Sequence, residues 1–186
     1  MLLLNVAATQ AVFLSFLVAG IWFTGVPLEP LGVTRPSMTD LGIGAALGVG
    51  LFVLNQGAAR LGRQFGLGGD EALREALAPE TAPGWLALLL VVLPVVAGFE
   101  ELLFRGALVG GFGAGFGLSA PLLVVASSAA FALGHGAQGR VGVVVTGALG
   151  LVFGAVFVAT GSIAVVLVAH YLVNALEFVV CEGIQG

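Results

Sequence analysis

No lysine occurs in this chain of 186 residues; its six basic residues are all arginine. Charge of either sign is scarce, with charged residues at 9% against ~25% in a soluble domain. A net charge of −4 supplies no basic patch for nucleic acid, so that class of partner is set aside. A single cysteine, Cys181, excludes an internal disulfide and reads as a small apolar helix residue. HExxH, in which one helix presents two histidines to zinc, is absent. No repeat with a period of about 20–50 residues is evident, which weakens an inverted-repeat transporter.

What fills the chain is apolar: 59% of residues are hydrophobic and the mean hydropathy is +1.15. The apolar residues fall in blocks about 20 long, enough to cross a hydrocarbon core of ~30 Å as helices. The expectation is an all-α, polytopic transmembrane bundle of about six spans. These are placed at 2–26, 40–59, 84–111, 119–136, 140–160 and 162–181. One integral membrane domain, 1–186, accounts for the whole chain, with 84–181 as its catalytic core. The N-terminal run lacks a positive n-region and reads as a first span rather than a cleaved signal.

The link "PLEPLGVTRPSMTD" carries three prolines and breaks the first span from the second. The next link, 60–83, is the most polar stretch. Within it "GGDEALREALAP" predicts a short helix at the lipid headgroups, with Asp70 as cap, Leu73 and Leu77 on one face, and Pro79 as stop. Glycines recur four apart at Gly44/Gly48, Gly106/Gly110 and Gly150/Gly154, a spacing that lets helix backbones approach closely in lipid. Arg60, Arg63, Arg74 and Arg140 fall on one side of the expected topology, with Arg35 and Arg105 on the other. The positive-inside rule then places both termini in the cytoplasm, in a protein of the cell membrane.

Ionisable groups inside a span cost several kcal/mol unless paired, so they are functional candidates by default. Three clusters stand out: "FEELLFR" (99–105), "FALGH" (131–135) and "HYLVN" (170–174). On a helix, residues four apart share a face and residues five apart differ by about 140°. Arg105 therefore faces Glu101 and not Glu100, and pairs with it. Glu100 has no local partner. Burial beside a second carboxylate makes Glu100 a stronger proton acceptor than a free carboxylate, as a general base working near pH 7 requires.

If the third and fourth spans form a hairpin, Glu100 and His135 are equidistant from a turn at Gly117–Leu118. They can meet, and a carboxylate with an imidazole could hold and deprotonate one water. His170 and Asn174 share a face of the last span, where two N–H groups could stabilise an oxyanion. Phe131, four before His135, packs below that histidine and restricts water access. The same polar residues could instead hold helices together in a non-catalytic scaffold or immunity protein, or form a proton pathway. Glu100, His135 and His170 would also be acceptable zinc ligands.

"EELLFR", "FALGH" and "HYLVN" resemble the three signature motifs of the CPBP family, in that order on separate spans. That family comprises type II CAAX prenyl endopeptidases and bacteriocin-processing or self-immunity proteases. The resemblance covers about residues 85–180 and every motif position. It implies an intramembrane glutamic endopeptidase that uses no cofactor. Glu100 and His135 would activate water, His170 and Asn174 form the oxyanion site, and Glu101, Arg105 and Phe131 support them. Implied partners are the lipid bilayer and a membrane-associated protein or peptide substrate, prenylated or not. The oligomeric state is left open.

Overall fold

A computed structural model describes residues 2–64 and 71–184, and among these there are helices and no strands. The long helices are α1 (Leu2–Thr24), α2 (Met38–Gln64), α4 (Ala82–Phe116), α6 (Gly139–Thr160) and α7 (Ile163–Phe178, continued as a π-helical turn Val179–Ile184). Two shorter helices are α3 (Glu71–Leu77) and α5 (Ala120–Gly134). Five helices among the described residues are long and apolar enough to cross a membrane. The expected fourth span differs. It is the 15-residue helix α5, about 22 Å long at 1.5 Å per residue and short of a ~30 Å core.

The breaks follow local chemistry. Thr24 ends α1 ahead of Gly25, which takes φ 66°, and Pro27, Pro30 and Pro36 hold the link out of helix. Ser37 and Asp40 then cap α2 reciprocally: the Ser37 N–H and Oγ donate to Asp40 Oδ2, each at 2.7 Å, and the Asp40 N–H donates to Ser37 Oγ at 3.0 Å. α4 ends at Gly117 with φ 65°, so the expected turn at Gly117–Leu118 is where the chain reverses. The helix runs on to Phe116 rather than stopping at 111, because glycine in a lipid-exposed helix costs only ~1 kcal/mol each. The surface helix forms and stops before Pro79; Asp70 and the Leu73 side chain, expected to cap and orient it, lie outside the described residues.

Glycine decides the packing, in two ways. A Cβ on Gly44 or Gly48 would lie 2.6 Å and 2.8 Å from the Val165 and Ala169 carbonyl oxygens of α7, so α2 and α7 touch backbone to backbone. Gly150 and Gly154 likewise press on Ser128 and Val124 of α5. The third pair behaves differently. Gly106 and Gly110 face the backbone carbonyls of Leu31 and Pro30 in the link, with only the side chains of Ile163 and Phe157 reaching them from other helices. The proline-rich link thus folds into one end of the bundle, with Leu31 only 1% exposed and the Gly32 carbonyl accepting from the Ile163 N–H at 3.0 Å. At the opposite end, Ala7 of α1 packs against the cluster of Leu88, Val92, Leu93 and Ala175, which joins the first turns of α4 to the last turns of α7.

That end carries a second polar network. Asn55 Nδ2 and Gln56 Nε2 donate to the two oxygens of Glu177 at 2.6 and 3.0 Å. Arg74 Nε donates to Glu182 at 2.7 Å and its Nη1 lies 3.6 Å from Glu177. Cys181 Sγ accepts from Gln56 Nε2 at 3.1 Å. The cysteine is thus part of a polar cluster, not the simple apolar residue its composition suggested.

Candidate active site

The three polar clusters converge inside the bundle, from α4, the end of α5 and the middle of α7. Arg105 Nη1 donates to Glu101 Oε1 at 2.9 Å, the i,i+4 pair expected from helix geometry. Both side chains are buried, at 1% and 0% exposure. A buried ion pair needs further hydrogen bonds to offset desolvation. Two are present: Arg105 Nη2 donates to the Gly150 carbonyl at 3.2 Å, and the same Glu101 oxygen takes His170 Nδ1 at 2.6 Å. Directly after Glu101 the helix widens into a π-helical stretch, Leu102–Gly111, a form that concentrates at functional sites. Within it the Phe104 carbonyl accepts from Ser127 Oγ at 2.7 Å.

Glu100 points the other way. Its Oε1 lies 3.8 Å from His135 Nε2 and its Oε2 3.6 Å from His170 Nε2. Both distances exceed direct hydrogen-bond length. Glu100 Oε2 and Glu101 Oε2 are buried and have no partner among the described residues. His135 closes α5 at its C-terminus, with Nδ1 2.8 Å from the Phe131 carbonyl. Its side chain is 23% exposed, against 8% for Glu100 and 7% for His170; the cluster is therefore most open at His135.

The partners assign the histidine tautomers. A carbonyl only accepts, so His135 Nδ1 carries the proton and Nε2 turns its lone pair to Glu100. Glu101, paired with Arg105, likewise takes the Nδ1 proton of His170. Asn174, one turn beyond His170 and half-buried, has no hydrogen-bond partner among the described residues.

Two phenylalanines enclose these groups. Phe131, expected beneath His135, meets it edge-on at 4.5 Å between ring centroids, and the Arg105 guanidinium lies 4.7 Å from its centre. Phe153 of α6 stacks on His170 at 5.5 Å with planes 18° apart, and lies 5.3 Å from the guanidinium. Sequence reasoning did not single out Phe153 or the Gly150 carbonyl, since both sit in an apolar run with no polar marker. Glu177 was missed as well, although a carboxylate in the last span is itself a signal.

Glu100, His135 and His170, considered as zinc ligands, do come together. Among the described residues no group of three or more His, Cys, Asp or Glu side chains is arranged to hold a metal ion.

A bundle of apolar helices enclosing carboxylates, imidazoles and a guanidinium is a polytopic membrane protein with an internal polar centre. The family described as "Type II CAAX prenyl endopeptidase Rce1-like" matches residues 82–176, just over half of the chain, and the chain belongs to that family. It is accordingly a membrane-embedded endopeptidase of the CAAX type, whose substrates are membrane-associated. The match runs from the start of α4 into α7 and takes in all three clusters. No curated protein and no solved structure matches the chain.

Proposed function

We propose that the chain is a glutamic-type intramembrane endopeptidase, with 84–181 as its catalytic core and no metal in its reaction. The observation that carries this reading is the Glu100 carboxylate, aimed at Nε2 of both histidines across 3.8 and 3.6 Å. Gaps of that size are ones a bridging water closes. Glu100 takes a proton from a water shared with His135, and the hydroxide attacks the peptide carbonyl. The resulting oxyanion accepts from Nε2–H of His170 and from the Asn174 amide. The proton on Glu100 passes to the departing amine, so one water is consumed per bond cleaved.

The oxyanion role needs an N–H at Nε2 of His170 in addition to the Nδ1 proton that Glu101 holds at 2.6 Å. Asn174 fits its role because it lies on the same face as His170 with its amide uncommitted. The substrate is a membrane-associated protein or peptide, prenylated ones included. Arg105 is spent on Glu101, which leaves Arg35 alone opposing Arg60, Arg63, Arg74 and Arg140; this favours both termini in the cytoplasm of a cell-membrane protein.

A zinc-dependent version is the second reading. Two imidazoles whose Nδ1–H groups are each backed by an acceptor, beside a carboxylate, are a donor set zinc also uses. One experiment separates the readings. Protein termini in membranes containing wild type or Glu100→Gln are compared by mass spectrometry, with and without a chelator. New C-termini lost in the variant and retained with chelator are expected. Loss with chelator favours zinc. Identical termini from equally folded proteins would overturn the catalytic reading in favour of a scaffold, immunity or proton-conducting role.

A further inference from the structure

We propose that Phe153 is a positioning residue that fixes the orientation of the His170 ring. Its catalytic consequence rests on the function proposed above, whereas the orientation itself rests on geometry alone. His170 has to present two different edges to two different carboxylates: Nδ1 to Glu101 at 2.6 Å and Nε2 towards Glu100 at 3.6 Å. A tilt of the imidazole out of its plane would carry Nδ1 off Glu101 and Nε2 away from Glu100 and destroy both relationships. Hydrogen bonding restrains one edge only, since the Glu100 contact is too long to be a bond.

The face of the ring therefore needs a restraint of its own, and Phe153 is placed to supply it. Its plane is within 18° of the imidazole plane at 5.5 Å, so the stacked benzene face resists tilting of the imidazole out of that plane. Phe131 meets the same imidazole only edge-on, at 6.1 Å and 79°. Phe153 is itself immobilised: it is 1% exposed, belongs to the main apolar core, and has the Arg105 guanidinium 5.3 Å away. The position of the guanidinium ties the two functions together. One ring packs against both the cation that pairs with Glu101 and the imidazole that bonds to it.

Phe157 provides a matched comparison. It lies one turn further along α6, is 4% exposed and belongs to the same core. However, its ring packs on Gly32 and Gly110 at the buried link, not on His170. Phe153→Leu and Phe153→Met both keep apolar volume without a ring, and Phe157→Leu removes the same ring elsewhere.

With only two histidines in the chain, ¹⁵N-histidine NMR in micelles resolves each imidazole once His135→Ala assigns the signals. Wild type and Phe157→Leu are expected to show His170 with one fixed Nδ1–H environment. Whichever ringless Phe153 variant folds should show that signal shifted and broadened by exchange. Cleavage of a farnesylated CAAX-ended peptide in liposomes should fall about 10- to 100-fold in kcat with KM unchanged, as expected for a misplaced group. An unaltered His170 signal in the ringless variants, or an equal change in Phe157→Leu, overturns the inference. If Glu100→Gln cleaves as fast as wild type, the catalytic reading fails, while the NMR comparison still decides what holds the ring.

Discussion

Glu101 and His170, 69 positions apart in the chain, share a 2.6 Å hydrogen bond between fully enclosed atoms. The same carboxylate oxygen takes Arg105, so one group ties two helices and neutralises one cation. Removing it leaves a buried guanidinium without a counter-charge. Glu101→Ala is therefore expected to cost about 3–5 kcal/mol, measured by thermal unfolding in detergent. The double variant Glu101→Leu/Arg105→Met, which removes both charges, should recover much of that loss while remaining inactive. A double variant as unstable as Glu101→Ala would show that packing, and not the unpaired charge, sets the cost.

The glycines give a contrast in sign. Gly110 has no room for a Cβ, which would collide with the Pro30 carbonyl oxygen of the buried link, whereas Gly50 of α2 has nothing within 4 Å. Gly110→Ala should lower the unfolding temperature by prying the link from α4. Gly50→Ala should raise stability by up to ~1 kcal/mol, the helix-propensity difference. Equal effects in the two variants would mean that the link is not packed against α4 in the membrane.

Arg74 holds the surface helix α3 to the end of α7 through Glu182 and Glu177. Its side chain is 23% exposed, so solvent weakens these pairs and their net worth is at most about 1 kcal/mol. Arg74→Ala should leave the unfolding temperature nearly unchanged while increasing amide hydrogen exchange across 71–77. Unchanged exchange there would show that the helix is held by its apolar contacts instead.

Much of the site was legible because membrane chemistry makes polar residues conspicuous. Glu100, Glu101, Arg105, His135 and His170 each break an apolar run, and helix periodicity alone paired Arg105 with Glu101. The hairpin midpoint placed His135 beside Glu100. What stayed hidden was apolar or backbone in character. Phe153 looks like any core phenylalanine until His170 is seen lying on it. Gly106 and Gly110 share the spacing of helix-packing glycines, yet their partner is a loop, and four-residue spacing encodes proximity without naming the neighbour. α5 is shorter than its apolar block, which extends through 119–136: the helix ends at Gly134, where His135 turns away to reach the site.

Asn174 offers the cleanest separation of chemistry from structure. It is one turn from His170 on the same face, half-buried, and has no hydrogen-bond partner among the described residues. Its removal therefore breaks no bond that the resting fold depends on. In the proposed reaction its amide donates only once the oxyanion has formed, and such a donor contributes to kcat by about 10²–10³-fold. Asn174→Ala should retain the wild-type unfolding temperature and KM and lose turnover on that scale. Asn174→Asp should be worse, because a carboxylate facing the oxyanion adds repulsion to the loss of a donor. Both are read with purified protein in liposomes, beside Glu100→Gln as the inactive reference. Full turnover in Asn174→Ala would remove this residue from the oxyanion site and leave His170 as its sole donor. A fall in unfolding temperature matching the fall in turnover would instead make Asn174 a packing residue of α7.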